Sequence, residues 1–296
     1  MTNGLRILIT NDDGVDAPGF EVALKIARAV SDDVHAVAPI NNMSGVGHQF
    51  SFGTELEIER RAANIYALDG TPADCVVVGM THLFKDKKPD VVLSGVNNGQ
   101  NLGDIIHCSG TVAGAREGAM QGALGIAMSQ GVDFENGFEV CWDNALRHGA
   151  AILRALIAMP RRKDIYYNVN FPLGAVETDA NIRIVPHQRF ERSPMAYYPS
   201  HNPGKFFIAV PHPPTRLDPN ADFHVLHRTR AITVTPLSLD QSDLAAVCGL
   251  QARLDKTAAQ ETEAGSSPGN RTDRKPDIVG HTDEKQNGSG PASLVK

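Results

Sequence analysis

Four cysteines, Cys75, Cys108, Cys141 and Cys248, are all that the 296 residues contain, and no two form a C-x-x-C pair. That spacing argues against a zinc site. Basic residues are outnumbered, with 28 Lys and Arg against 34 Asp and Glu and a net charge of -6. A protein that grips DNA or RNA needs a clustered basic face, so polymeric nucleic acid is an unsuitable partner, although a single nucleotide is not excluded. No run of about 18 apolar residues suggests a membrane span. The opening "MTNGLRILIT" has neither the basic region nor the long apolar stretch of a secretory signal. The expectation is a cytoplasmic protein with reduced thiols and no membrane contact. Three catalytic or binding signatures are also missing. There is no G-x-x-x-x-G-K-[ST] phosphate loop, no G-x-G-x-x-G in the first βα loop, and no G-x-S-x-G around Ser44.

What is present is a globular composition, 42% hydrophobic, on a chain long enough for one large domain or two small ones. Apolar runs without alternation recur at 5–10, 34–39, 64–70, 89–95, 124–129 and 165–172. Helix-like stretches separate most of them: Pro18 to about Val30, a start at Thr71–Pro72, Thr111 to about Gly122, and Trp142 to about Ala158. Pro18 and Pro72 suit the first turn of a helix, and Thr71 suits its cap. Continuous apolar strands separated by helices indicate a parallel sheet buried on both faces. The fold class is therefore α/β, with a Rossmann-like core over about 1–180. Residues 182–236 are richer in Pro, His and aromatics, which reads as edge strands and an extended arm. From Lys256 to Lys296 there is no aromatic residue and little aliphatic content, so this tail is expected to be disordered.

In a doubly wound sheet, ligands bind where strands end at their carboxyl termini. Asp12–Asp13, Asn41–Ser44 and Asn97–Asn98 each follow a predicted strand, so three distant segments converge on one edge. "NDDG" (11–14) serves equally as a turn and as a binding site, since Asn, Asp and Gly are turn formers. Two adjacent carboxylates repel and resist joint ionisation. With neutral oxygens beside them, they suit a hard cation such as Mg²⁺ or Mn²⁺. "SGT" (109–111) opens a helix; Ser109 or Thr111 caps it, and the free N–H groups beside Gly110 equally suit a phosphate. A divalent ion beside a phosphate would neutralise the anion and activate a water.

The segments "ILITNDDGVDAPG", "SGVGH", "YALDGTPADCV", "PDVVLSGVNNGQNLG", "SGTVAGAREGA", "NVNFP" and "ITVTPLSLDQSD" follow one another as in the survival protein SurE family, which the chain resembles over about residues 5–247. The resemblance implies a metal-dependent phosphomonoesterase that hydrolyses nucleoside 5′- or 3′-monophosphates, from a homodimer or homotetramer that exchanges C-terminal segments. It further implies one divalent ion per subunit held by Asp12, Asp13, Ser44 and Asn97, with Asn101, Ser109, Gly110 and Thr111 on the phosphate. Asp12 or Asp13 then takes the proton of the attacking water, and His48 or His107 is a candidate acid for the leaving group. Met43, Ile105 and Cys108 depart from the residues common in the family, which bears on the pocket wall rather than on the metal. A phosphoaspartate route needs D-x-D, whereas Asp12 and Asp13 are adjacent. The alternative from another class is a nucleotide-binding module without turnover.

Overall fold

The computed structural model describes residues 4–133, 139–176, 181–209 and 216–265, with side chains up to 260. The chain divides into two units, Met1–Gln241 and Ser242–Lys296.

The first unit is built on βα alternation. Its elements run β1 (Arg6–Thr10), α1 (Pro18–Arg28), β2 (Asp33–Pro39), β3 (Ile58–Ala62), β4 (Ile65–Leu68), α2 (Pro72–Val78), β5 (Val91–Asn98), α3 (Gly110–Met120) and β6 (Leu124–Gln130). There follow a short ribbon of β7 (Val132–Asp133) and β8 (Glu139–Val140), then α4 (Asp143–Ala158) and β9 (Ile165–Phe171). The chain then passes through β10 (Ile182–Ile184), β11 (Ala196–Pro199), β12 (Phe206–Ala209), α5 (Asp222–Thr229) and β13 (Ile232–Ser238). The nine-stranded sheet has the order β10-β13-β9-β6-β5-β1-β2-β4-β3. From β4 to β9 across the sheet the neighbours are parallel; β3 and β13 join antiparallel at either side.

The order reverses between β1 and β5. From β1 the chain winds outward through β2 and β4, and from β5 it winds the other way through β6 and β9. That reversal leaves a crevice at the strands' carboxyl ends. Helices α1 and α4 cover one face, where Ile7, Ile9, Phe20, Leu24, Leu93 and Leu153 are buried in one cluster. Helices α2 and α3 cover the other. Small residues let α3 lie close to the sheet: a Cβ at Gly114 would stand 2.8 Å from Ser94 Oγ, and one at Gly118 would stand 2.4 Å from Val92 Cβ.

Residues 182–236 hold the expected extended strands. β13 pairs with β9 from Thr233 to Ser238 and so lies inside the sheet, β10 pairs with β13 at its edge, and α5 lies between them in sequence. The free arm is the β11–β12 hairpin. The tail expected to be disordered from 256 is helical at its start, because α6 spans Leu244–Gly265. Its Ala, Leu, Gln, Glu and Lys content is rich in good helix formers, and Gln251 donates to Asp255 one turn on at 2.7 Å. A helix can thus form on propensity where no core is available. Residues 266–296 lie outside the described residues. Among the described residues no helix is long and apolar enough to cross a membrane.

Candidate active site at the strand ends

β1 delivers Asn11, Asp12 and Asp13 to the crevice, and the loop after it is closed by its own turn chemistry: Asn11 Nδ2 donates to the Gly14 carbonyl at 2.8 Å. Gly14 sits at φ 108°, a left-handed conformation that a side chain would strain. The turn and the candidate site are therefore one structure rather than alternatives.

Asp12 is buried, 4% exposed. The Thr111 hydroxyl donates to its Oδ1 at 2.5 Å, and a Cβ on Gly110 would stand 2.9 Å from its Oδ2. The first turn of α3 thus closes directly over this carboxylate. Burial pushes the Asp12 carboxyl up from 3.8 to about 6, against the pull of the Thr111 hydroxyl, and the charge of Asp13 adds to the rise. Burial also raises Asp13, whose Oδ2 accepts from the Asn98 backbone N–H at 2.9 Å. That bond ties the β1 loop to the end of β5.

The other two candidate ligands are brought in by backbone contacts. Met43 N–H donates to the Asp12 carbonyl at 2.7 Å, which sets the Asn41–Ser44 loop beside the acids. Ser44 is exposed there, and its N–H donates to Asn42 Oδ1 at 2.8 Å. Asn97 Nδ2 donates to the Gly99 carbonyl at 2.7 Å, so the amide oxygen is the atom left to serve a ligand. Among the described residues no three His, Cys, Asp or Glu side chains gather. The site instead offers two carboxylates with neutral oxygens beside them. The chemistry of that set fits a hard divalent cation, which would also offset the mutual repulsion of buried Asp12 and half-buried Asp13.

The four candidate phosphate residues divide by role. Ser109 caps α3, its Oγ accepting from Val112 N–H at 3.1 Å. Thr111 spends its hydroxyl on Asp12. Gly110 supplies the bare backbone beside that acid. Asn101 is buried too: it donates to Ser129 Oγ at 2.8 Å, and its backbone is held by Asn168 and Asn170. Its side chain shapes the loop from below and leaves one amide proton for an anion.

The two histidines named as candidate acids have different surroundings. His48 Nε2 lies 2.9 Å from Glu117 Oε2, a buried carboxylate that also accepts from Gln121. Glu117 is seven residues past Gly110, about 10 Å along the helix axis, while the backbone of the neighbouring Gly47 donates to the Cys108 carbonyl just before α3. His107 is exposed. Cys108 donates its thiol to the Ile105 carbonyl, and burial pushes that thiol up, which leaves a packing residue rather than a nucleophile.

Sequence reasoning missed a supporting layer. Asp222, fully buried, accepts from the N–H groups of Gly103 and Gln188, and Asp104 accepts from Phe190 N–H and Arg189. These acids lash the 101–108 loop to residues 187–190. A readable signal existed for Asn168 and Asn170, two amides spaced by two in an otherwise apolar strand, hence on one face. None existed for the acids, because their partners lie 34 to 119 residues away in the chain.

A family model described as "Survival protein SurE" matches residues 7–193. The chain is 39% identical over 243 residues to the "5'-nucleotidase SurE" of Azorhizobium caulinodans, covering 81% of this chain and 94% of that one. It is 40% identical over 247 residues to the protein of the same name from Rhodopseudomonas palustris strain BisB5, at 81% and 95% coverage. The crystal structure of the Sure protein from Aquifex aeolicus superposes with a TM-score of 0.69 at 30% identity, covering 83% of this chain and 98% of that one.

Proposed function

The chain belongs to the survival protein SurE family, and from that premise we propose that it is a 5′-nucleotidase, hydrolysing nucleoside monophosphates to nucleoside and phosphate. Relatives carrying that name are matched over 94% of their length, which supports the whole activity rather than a fragment of it. The observation that carries the reading is the buried Asp12 carboxylate fastened to the first turn of α3. An acid that prefers a cation and a helix start that prefers an anion meet at one point.

Asp12, Asp13, Ser44 and Asn97 would hold one divalent ion, Mg²⁺ or Mn²⁺. Such an ion, when bound, supplies charge to the phosphoryl oxygens and acidifies a water. The backbone of Gly110 and Thr111, with Ser109 and Asn101, orients the phosphate so that its ester bond faces the crevice. Asp12 and Asp13 are the groups placed to accept a proton from the attacking water. The chemistry is positioning and charge neutralisation, with no covalent intermediate. The exposed apolar hairpin supports a homo-oligomer, and the four free thiols are consistent with a cytoplasmic setting.

The test is phosphate release from AMP and GMP with Mn²⁺ or Mg²⁺. Release abolished by EDTA and restored by added metal is expected. Metal-independent release, or none from any phosphomonoester, would overturn the proposal.

A further inference from the structure

A cavity of about 450 Å³ opens beside the two acids, lined by Asp13, Asp16, Ile40, Asn42, Asn98 and Trp142. It lies within the range of small-molecule pockets, which run from about 300 to 1,000 Å³. Asp13 is common to the cavity and to the candidate metal site, and its carboxylate accepts from Asn98 N–H at the same edge. None of Asn101, Ser109, Gly110 and Thr111 lines the cavity, so it adjoins the site through Asp13 and Asn98, on the side where the group esterified to the phosphate can extend.

The lining has the chemistry of a nucleoside subsite. Trp142 supplies an aromatic face, and Ile40 and Val140 supply aliphatic ones. Asn42 and Asn98 offer amides, and the exposed Asp16 offers a carboxylate that suits sugar hydroxyls. Trp142 is also held in place. It is the residue before α4, its carbonyl accepts from Leu146 N–H at 2.9 Å, and its ring edge lies where a Cβ on Gly19 would be, at 2.9 Å. A partly buried indole fixed at a helix start is a preorganised stacking platform.

We propose that Trp142 is the specificity-determining residue of the reaction, stacking the nucleobase of the substrate in this cavity. The inference rests on the nucleotidase reading and goes beyond it: it states why the enzyme favours nucleotides over other phosphomonoesters. Base–aromatic stacking contributes about 1–3 kcal/mol. Because Trp142 is the only tryptophan of the chain, its emission reports on the site directly.

The experiment follows that emission in the full-length protein with Mg²⁺ while AMP, ribose 5-phosphate or inorganic phosphate is added. AMP is expected to quench it saturably, and the two compounds without a base to leave it unchanged. In parallel, Trp142→Leu, which keeps an apolar side chain over Gly19, is expected to lower kcat/KM for AMP about tenfold or more, mostly through KM. Turnover of ribose 5-phosphate should stay as in the wild type. AMP hydrolysed with emission unmoved, or an equal loss on both substrates in a folded Trp142→Leu protein, would overturn this inference alone. Failure of the wild type to hydrolyse ribose 5-phosphate and AMP alike would instead remove the nucleotidase reading on which it rests.

Discussion

Asp12 concentrates the conflict between stability and function. Folding lifts its carboxyl from 3.8 to about 6 through burial, so between those values the folded chain binds more protons than the unfolded one. The stability of the metal-free protein therefore falls as pH rises through that window and stays low above it. Two pH units correspond to about 3 kcal/mol. Asp12→Asn is expected to abolish phosphate release while raising the melting temperature in excess chelator at neutral pH, and the gain should vanish below about pH 4. Added Mg²⁺ or Mn²⁺ should raise the wild-type melting temperature and leave the variant's where it was, since only the wild type binds it well. Equal melting of the two proteins in chelator at neutral pH would contradict the burial argument. A readable part of this residue was its place beside Asp13 after a strand. Its raised affinity for protons was not, because burial and the Thr111 contact arise from a helix 99 residues away.

At the scale of elements, the 40–56 loop is tied to α3 by the pair of His48 and Glu117 and to the start of α2 by Ser51 with Asp74 and by Thr71 with the Gln49 carbonyl. Burial alone would raise the Glu117 carboxyl, yet hydrogen bonds from His48 and Gln121 bring it below its ordinary value. That contribution is present above the ordinary carboxylate range and is lost as pH falls through the lowered value. His48→Ala removes the side-chain tie to α3 from the loop that carries Ser44. The metal concentration for half-maximal activity should rise about tenfold, as for other partners that orient metal ligands, with the rate at saturating metal near that of the wild type. A saturating rate that collapsed instead would return His48 to the role of proton donor. Most of the elements flanking the site were legible: Pro18 and Pro72 open α1 and α2 where expected, and β1, β2, β5, β6 and β9 lie within two or three residues of the apolar runs. β3 was not, because an edge strand with every residue exposed has no apolar pattern to read. Nor was α5, whose eight residues include two histidines and a short apolar pair.

The whole molecule leaves apolar surface uncovered. Tyr197, Phe206 and Ile208 on the β11–β12 hairpin are 61%, 57% and 67% exposed, and a two-stranded ribbon is marginal by itself in water. In α6, Leu244, Val247, Leu250 and Leu254 are exposed as well. Exposed patches of this kind mark contact surfaces. A double change of the cross-strand pair, Tyr197→Ser with Ile208→Ser, is expected to reduce the assembled mass measured by light scattering; an unchanged mass would exclude this face of the hairpin as the contact. The amino-acid sequence alone determined the βα alternation, the capped helix starts and the segments that carry the site. Those follow from periodicity, proline and turn chemistry, all of which act within a few residues. Only the tertiary structure decided that β5 lies beside β1, that His48 pairs with Glu117, and that Trp142 walls the cavity. Each depends on contacts between distant parts of the chain, and on the water they exclude, which no local pattern encodes.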